Sequence, residues 1–369
     1  MSERPGVSII IVNYNYGRFL GAAIDSALQQ DYPLCEVIVV DDCSTDDSRA
    51  VIARYGDRVR SVLQDTNRGQ IAALNSAWPL ARHPLLVFLD SDDLLFPHAA
   101  ATVAGMWKAA VVKAQFLLAI IDKTGRQLGH VTKFPPNLDT ETIRAAILRT
   151  GGSPNSPSSG NVYSRSLLER ITGDGGFQIE HPRDISMDTI LECNAPFYGE
   201  VVTIYEPLAG YRIHDRNDSL QDTINRARFD KMSLYFTRKL DYLACRLQTW
   251  NIPFDPAATR DRSPWALECR LAAAKLTAPG DPLDEPISGT LARALKACTH
   301  DVQPLSLRII HAAWFVSVAV APRPLARLLI ALRFKITQRP AWLERLFTRL
   351  FQVKAPAWHG KPHTDAFTS

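Results

Sequence analysis

The 369-residue sequence lacks several features that would assign it to a class at once. Its six cysteines are widely spaced and form no CxxC pair, which argues against both a zinc site and a disulfide framework. The N-terminal stretch MSERPGVSIIIV has an acid and a proline where a secretion signal has a basic start and a long apolar core. No repeat of about 20–50 residues is visible. We therefore expect reduced, mostly buried thiols in a cytoplasmic protein without a secretion signal.

The C-terminal part also lacks an apolar run long enough to span a membrane. Residues 309–321 are interrupted by His311 and stopped by Pro322, whereas a spanning helix needs about 20 apolar residues. From residue 306 onward there are ten Lys or Arg against two acids, and residues 340–353 form an amphipathic pattern with arginines off the apolar face. Such helices can lie in the headgroup plane of an anionic membrane. Residues 309–353 therefore predict peripheral contact with the inner face of the plasma membrane. Two alternatives remain open: these helices could pack on the protein or a second subunit, or the segment could be a solvated basic tail.

What the sequence does contain is typical of a globular α/β protein, with 46% hydrophobic and 22% charged residues. Through the first 120 residues, short apolar runs alternate with segments of helical periodicity. This alternation predicts a mostly parallel, Rossmann-like sheet covered by helices on both faces. Residues 114–133 predict two strands around a KTGR turn, and residues 151–160 predict a loop. We expect an α/β domain over residues 1–224 and a helical, basic region over 225–369.

Polar side chains follow three of the predicted strands at the point where each strand ends. The first strand ends in NYN at 13–15, the second in DDCSTD at 41–46 and a later one in DSDD at 90–93. In open α/β sheets ligands bind beyond the carboxyl ends of the strands. The sequence therefore predicts a binding site at this edge of the sheet.

The acids at residues 90–93 favour a cation site. Asp90, Asp92 and Asp93 follow an apolar strand directly, and carboxylate oxygens are the ligands that Mg²⁺ and Mn²⁺ prefer. A bound divalent cation could neutralise phosphate charge. The alternative is a turn of solvated acids.

Two neighbouring segments are typical of nucleotide contacts. Asp41 and Asp42 could accept hydrogen bonds from a base or a ribose, although a solvated turn capping the next helix would use the same residues. Asn67 and Gly69 precede a predicted helix whose N-terminus could hold an anion, although a helix cap alone would also explain them.

Six segments in this order and spacing closely resemble glycosyltransferase family 2, whose members have the GT-A fold. The resemblance covers about residues 5–220 and is specific because the segments stay in register. They are VSIIIVNYNYGRFLGAAIDSALQQDYP, EVIVVDDCSTDDS, DTNRGQIAALNSAW, LLVFLDSDDLLFP, SSGNVYSRSLLERITGDGGF and YEPLAGYRIHDRNDS.

The resemblance implies transfer of a sugar from a nucleoside diphosphate donor, often a UDP-sugar, with inversion at the anomeric carbon. It implies a Mn²⁺ or Mg²⁺ ion that stabilises the departing diphosphate. The residues that it implies for the donor are Asn13, Tyr14, Asn15, Asp41, Asp42, Asn67, Gly69, Asp90 and Arg212, although Arg212 could instead pair with an acid. Those implied for the metal are Asp92, Asp93 and His214, although a lone histidine is often structural.

Inversion also implies a base that takes the proton of the acceptor hydroxyl. The family usually supplies it from a Glu-Asp pair about eighteen residues before the EPLxxYR segment, which leads to Asp188 in this sequence. Here Met187 replaces the glutamate, and Ile190 stands where another acid is frequent. Asp184 is the local rival for the role of base.

Other features define the reaction class and its alternatives. The QxxRW segment of processive synthases is missing, so we expect non-processive transfer. The resemblance implies a glycan or lipid-linked acceptor, and we expect no nucleic-acid partner. The missing glutamate at position 187 leaves open a catalytically silent scaffold that binds nucleotide-sugar or glycan. A nucleotidyltransferase would need a glycine-rich basic loop after the first strand, and NYNYGRFL does not provide one.

Overall fold

The computed structural model describes most of the chain before residue 335. The described residues are 4–132, 134–135, 137–178, 185–214, 217, 223–278, 280–282, 285–300 and 305–334. The predicted amphipathic segment 340–353 and the rival base Asp184 lie outside them.

The first half of the sheet is built from alternating strands and helices. In chain order these are β1 (Val7–Asn13), α1 (Gly17–Leu28), β2 (Cys35–Asp41), α2 (Ser48–Ala53), β3 (Arg60–Leu63), α3 (Gln70–Ala77) and β4 (Leu85–Asp90). Strand β1 pairs in parallel with both β2 and β4, and β2 pairs in parallel with β3.

The second half is mixed. Its elements are β5 (Leu94–Leu95), α4 (Ala99–Met106), β6 (Val111–Ile121), β7 (Gln127–Val131), α5 (Thr140–Thr150), β8 (Asn161–Ser164), α6 (Arg165–Gly173), α7 (Met187–Tyr198) and β9 (Glu200–Arg212). Across the sheet the order is β3-β2-β1-β4-β8-β6-β9-β5, with β7 on the side of β6. Strand β8 is antiparallel to both of its neighbours, whereas β6 and β9 are parallel. The predicted strand pair around the KTGR turn is confirmed as β6 and β7.

Helices cover both faces of the sheet, which explains the continuous apolar runs of its strands. In β1, Ile10 packs in the core cluster under α3 and α7, whereas Ile9 and Ile11 pack in the cluster under α1 and α4. A strand buried on both faces cannot alternate between apolar and polar side chains. The predicted α/β fold class is confirmed.

Register brings the polar strand ends together. Asn13 at the end of β1 is paired with Asp41 at the end of β2, and Val12 is paired with Asp90 at the end of β4. The three segments singled out in the sequence therefore meet at one edge of the sheet.

The described residues between 226 and 334 are mostly helical, as expected. The helices are α8 (Arg226–Thr249), α9 (Pro256–Arg262), α10 (Pro264–Leu276), α11 (Ile287–His300), α12 (Leu305–Val320) and α13 (Arg323–Phe334). Helix α8 joins the two parts, because Leu243 lies in the core of the α/β sheet and Phe229 lies in the core of the helical part. Phe315 of α12 and Ile330 of α13 are buried in that second core, so this part of the tail packs on the protein. Within the described residues, no helix is both long and apolar enough to cross a bilayer.

None of the six cysteines forms a disulfide. The expectation that most are buried holds for Cys193, Cys269 and Cys298. It is wrong for Cys245, which is exposed, and Cys35 and Cys43 are partly exposed.

Candidate active site

The turn after β2 is held together by Asn13 and Asp41. The Asn13 Nδ2–H donates to Asp41 Oδ1 at 2.9 Å and to Ser44 Oγ at 3.1 Å. The other Asp41 oxygen accepts from the backbone N–H of Ser44 and from Arg49 Nε at 3.1 Å. Asp41 has no exposed surface, so its carboxylate is directed into its own turn.

Asp42 connects the end of β2 to the loop before α3. Its two oxygens accept from the backbone N–H groups of Arg68 at 2.9 Å and Gly69 at 2.8 Å. Gly69 has a φ of 85°, in the left-handed region that favours glycine. Asp42 is buried, whereas Asn67 beside it is half-buried.

The loop after β1 carries Asn15 and Tyr14. Asn15 has a φ of 59°, and its Oδ1 accepts from the backbone N–H of Thr45 at 2.7 Å, which fixes the two loops side by side. Tyr14 is 44% exposed and offers an aromatic surface at the same edge.

Asp90, Asp92 and Asp93 form a compact acidic cluster where β4 ends. One carboxylate oxygen from each lies within 4.8 Å of the others, and among the described residues this is the group of three or more His, Cys, Asp or Glu that could hold a metal ion. Burial and the neighbouring carboxylates raise the pKa of Asp90 well above its usual value and that of Asp93 to about 7. The cluster therefore disfavours the ionised forms of Asp90 and Asp93, and a bound cation would favour them.

Asp92 and Asp93 differ in how much of each carboxylate remains available for a ligand. Asp93 is buried and accepts from Ser159 Oγ at 2.6 Å and from the Arg212 backbone N–H at 2.8 Å. The Asp92 side chain is 17% exposed, with one oxygen 2.9 Å from His214 Nε2. Asp92 is therefore the more accessible of these two acids.

His214 is positioned by Arg18 and two aromatic rings. Arg18 Nη2 lies 3.3 Å from His214 Nδ1, and the rings of Tyr16 and Phe19 flank the imidazole at 5.6 Å and 4.8 Å. A guanidinium can only donate, so in a neutral imidazole Nδ1 accepts and Nε2 carries the proton. That proton is directed at Asp92, so His214 orients this carboxylate.

Arg212 lies beneath the acidic turn. Its Nε donates to the Asp92 carbonyl oxygen at 2.6 Å, and one Nη donates to the carbonyl of Lys123 at 3.0 Å. The guanidinium also stacks over the Phe19 ring at 4.9 Å, and Arg212 is only 3% exposed. In this arrangement Arg212 positions the turn.

Asp188 lies in the first turn of α7, which begins after the cap residue Ser186. One of its oxygens accepts from Ser158 Oγ at 2.6 Å. Burial raises the pKa of Asp188, and Ser158 and Lys113 oppose that rise. Met187, which replaces the family's glutamate, is 1% exposed and packs in the core, so position 187 faces away from solvent.

Two adjacent serines that sequence reasoning missed link these acids. Ser159 donates to Asp93 and accepts from the Asp90 backbone N–H at 3.1 Å, while Ser158 donates to Asp188. Both lie in the short 3₁₀ turn Ser158–Gly160. A Cβ at Gly160 would lie 3.1 Å from the carbonyl oxygen of Phe116 and far closer to Ser156 Oγ. The SSG triplet is the sequence feature that marks this turn.

Sequence reasoning also missed Lys113, a cation in the mostly apolar strand β6. It is 3% exposed, its ammonium donates to the Asn155 side chain, and burial lowers its pKa to about 8. Nearby, Glu192 accepts from the backbone N–H of Ser153 at 2.8 Å and from Lys239 Nζ at 2.8 Å. Lys113 and Glu192 therefore anchor the loop that carries the two serines.

Known proteins are similar to this chain in sequence. The family described as Glycosyl transferase family 2 matches residues 8–172. An uncharacterised glycosyltransferase of Nostoc, alr2836, is 35% identical over 224 residues, 58% of this chain and 66% of that protein. The Escherichia coli enzyme WfaP, a UDP-Glc:α-D-GlcNAc-diphosphoundecaprenol β-1,3-glucosyltransferase, is 40% identical over 88 residues, 24% of this chain and 35% of that protein.

Two solved structures have the same fold at low sequence identity. Staphylococcus aureus TarS (residues 1–349), in complex with UDP-GlcNAc, has a TM-score of 0.55 at 15% identity over 89% of this chain and 91% of that one. The mannosyltransferase PcManGT of Pyrobaculum calidifontis, in complex with GDP-Man and Mn²⁺, has a TM-score of 0.51 at 18% identity over 92% and 89%. With the family match and its relatives, these findings establish that the chain belongs to glycosyltransferase family 2.

Proposed function

We propose that this protein transfers a sugar from a nucleoside diphosphate donor, most simply a UDP-sugar, to a hydroxyl of a glycan or lipid-linked acceptor, with inversion and one sugar at a time. The observation that carries the proposal is the linkage of Asp188 to the Asp90–Asp92–Asp93 cluster through Ser158 and Ser159. The proposed base and the proposed cation site then lie at the same edge of the sheet.

The acidic cluster fits a hard divalent cation. Its donor set is three carboxylates with oxygens within 4.8 Å of one another. We propose that Asp92 is the principal ligand of a Mn²⁺ or Mg²⁺ ion, with Asp93 and Asp90 beside it and His214 orienting Asp92. When bound, such an ion neutralises charge that develops on the leaving diphosphate.

We assign the role of base to Asp188. Its Oδ2 is occupied by Ser158, so Oδ1 is the atom left to take the proton of the acceptor hydroxyl. The N-terminus of α7 favours the ionised form, whereas burial raises the pKa and makes the carboxylate a stronger base than a solvated one.

The donor's nucleoside would lie along the loops after β1 and β2. Tyr14 provides an exposed ring that a base could contact, and the half-buried Asn67 stands next to the Asp42-bound backbone. Asp41 and Asp42 would act mainly by shaping these loops, because their oxygens already accept hydrogen bonds from the protein.

A lipid-linked acceptor suggests work at a membrane, and α12 and α13 offer a surface for it. Ile309, Val316 and Val320 are 58%, 40% and 74% exposed along one side of α12, and Leu328 of α13 is 54% exposed. The exposed Arg323 lies between Val320 and Leu328 in the sequence, and cations of this kind attract anionic lipids. We propose that this surface contacts the inner face of the plasma membrane.

Co-sedimentation with vesicles tests the membrane contact. The full chain should pellet with vesicles that contain anionic lipid and less with neutral ones, and V316S/V320S/L328S should reduce pelleting. Dimerisation through the same surface, seen as a halved mass of the variant in solution without any change in pelleting, would contradict it.

Donor turnover tests the main proposal. Purified full chain is incubated with a panel of nucleotide-sugars with and without Mn²⁺, and released nucleotide is measured beside calorimetry with UDP. We expect metal-dependent turnover of one donor, abolished in D92N. UDP binding without turnover of any donor, with any acceptor supplied, would instead support the silent scaffold.

A further inference from the structure

A cleft outside the proposed active site separates the end of α5 from α9 and α11. Its volume is about 390 Å³, within the range of about 300–1,000 Å³ that is usual for small-molecule sites. It is distinct from the acidic cluster, because none of the acids of that cluster lines it.

The charged residues that line this cleft are mostly of one sign. A single carboxylate, that of Asp261, faces four cationic side chains. The four cations are Arg149 from α5, Arg262 from α9, and Arg293 and Lys296 from α11.

The one carboxylate is already engaged by other cations. Asp261 accepts from Arg270 Nη1 at 3.0 Å and lies 3.9 Å from Arg293 Nε, and Arg293 also pairs with Glu285. In the part of the chain that the structure describes, no carboxylate forms an ion pair with Arg149, Arg262 or Lys296. These three cations therefore leave the cleft with an excess of positive charge.

Helix ends explain only part of this arrangement. Arg149 and Arg262 lie in the last turns of α5 and α9, where a cation is favoured by the helix dipole. Lys296 lies four residues before the end of α11, so the helix dipole does not explain why it lines the cleft. Convergence of cations from three helices is the arrangement that binds a phosphate group.

The cleft also adjoins the loop that leads to the proposed active site. Thr150 lines it, and the chain runs from there through residues 151–160 to Ser158, which donates to Asp188. A ligand in the cleft would therefore lie beside the root of the loop that holds the proposed base.

We propose that this cleft is a binding site for a phosphate or diphosphate group. Two sources have this chemistry, namely a free inorganic anion and the diphosphate of a lipid-linked acceptor. The second source rests on the proposed function, whereas the first does not.

Calorimetry with inorganic pyrophosphate tests the site without any turnover. The titration uses the full chain in metal-free buffer with saturating UDP, so that the nucleotide site is occupied. We expect binding that weakens with added salt. The variant R262Q/K296Q, in which both changed side chains are exposed, should bind about tenfold or more weakly, because it loses two charged hydrogen-bond donors. Adding R149Q should weaken binding further.

The control R54Q/R58Q/K108Q removes three exposed cations that do not line the cleft. It should bind pyrophosphate as the wild type does. Equal affinity in the wild type and in R262Q/K296Q, with both folded by circular dichroism, would overturn the proposal, as would the absence of any binding to the wild type.

A second arm separates the two sources. Acceptor KM is compared for a short-chain prenyl-diphosphate sugar and for the same sugar on a neutral alkyl group. A KM raised in R262Q/K296Q for the diphosphate acceptor alone assigns the cleft to the acceptor. An unchanged KM together with lost pyrophosphate binding assigns it to a free anion. If the protein transfers no sugar at all, the proposed function fails while the calorimetric result still decides this site.

Discussion

The acids after β2 and the acids after β4 occupy equivalent strand ends and have opposite surroundings. Asp42 accepts two backbone N–H groups, so its charge is stabilised within the fold. Asp90 is surrounded by Asp93, Asp92 and Asp188, and its pKa is raised well above its usual value. The first region uses its acids to build loops, whereas the second holds acids whose ionisation is opposed by burial and by neighbouring carboxylates. Such a cluster costs stability unless a cation is bound to it.

The largest expected effect is on the rate of transfer and concerns Asp188, whose carboxylate acts on Asp90 of the second region. D188N should reduce transfer by about 10²–10⁴-fold, the usual worth of a general base, because an amide cannot take the proton of the acceptor. Affinity for UDP in the presence of Mn²⁺ should stay as in the wild type. E141Q, a change of an exposed acid on α5, is the matched control and should transfer normally. A D188N protein with wild-type turnover would remove Asp188 from the mechanism and return attention to Asp184.

Sequence reasoning could predict the sheet and the edge at which its polar strand ends meet. Continuous apolar runs identify strands buried on both faces, and register then brings Asn13, Asp41 and Asp90 to one edge. It could not predict in which direction each acid points. Asp42 faces the protein because residues 68 and 69, far along the chain, present two N–H groups to it.

The contacts of Ser158 and Ser159 with the acids could not be predicted, for a similar reason. Ser158 and Ser159 come from a loop whose partners, Asp188 and Asp93, are 30 and 66 residues away. The SSG triplet marks the turn, but no local pattern identifies these distant partners. Arg212 was also ambiguous from the sequence, because whether its guanidinium meets a phosphate or a backbone carbonyl depends on the path of the Lys123 turn.

In the first region, removing Asp42 should destabilise the fold. D42A leaves the backbone N–H groups of Arg68 and Gly69 without their acceptor, which costs about 1–3 kcal/mol of unfolding free energy in metal-free buffer. Urea denaturation measures the loss. D47A is the control, since Asp47 is exposed and makes no side-chain cap hydrogen bond, and it should change stability by less than about 0.5 kcal/mol.

In the second region, we expect a substitution to raise the stability of the metal-free protein, the opposite of the effect of D42A. D90N removes a carboxyl group whose ionisation is opposed by burial and by the neighbouring carboxylates, so the metal-free protein should gain stability on the order of 1 kcal/mol at neutral pH. Mn²⁺ should raise the unfolding midpoint of the wild type and raise it less in D90N, because an ion stabilises the state that binds it. If D90N and D42A both destabilise the metal-free protein, the contrast between the two regions is wrong.

The smallest expected effect is a shift in pH dependence through Lys113. Burial raises the folded-state pKa of Asp188, and Lys113 opposes the rise. Because Asp188 acts as a base only when ionised, kcat/KM should increase with pH through that pKa, above the ordinary aspartate value of 3.8. K113M removes the cation and should move this acid limb to higher pH, while kcat on the plateau changes little. K113R keeps the charge and should leave the limb near its wild-type position. A limb that moves equally in K113M and K113R would mean that Lys113 acts through the shape of the 151–160 loop, because both variants disturb the contact with Asn155 but only one removes the charge.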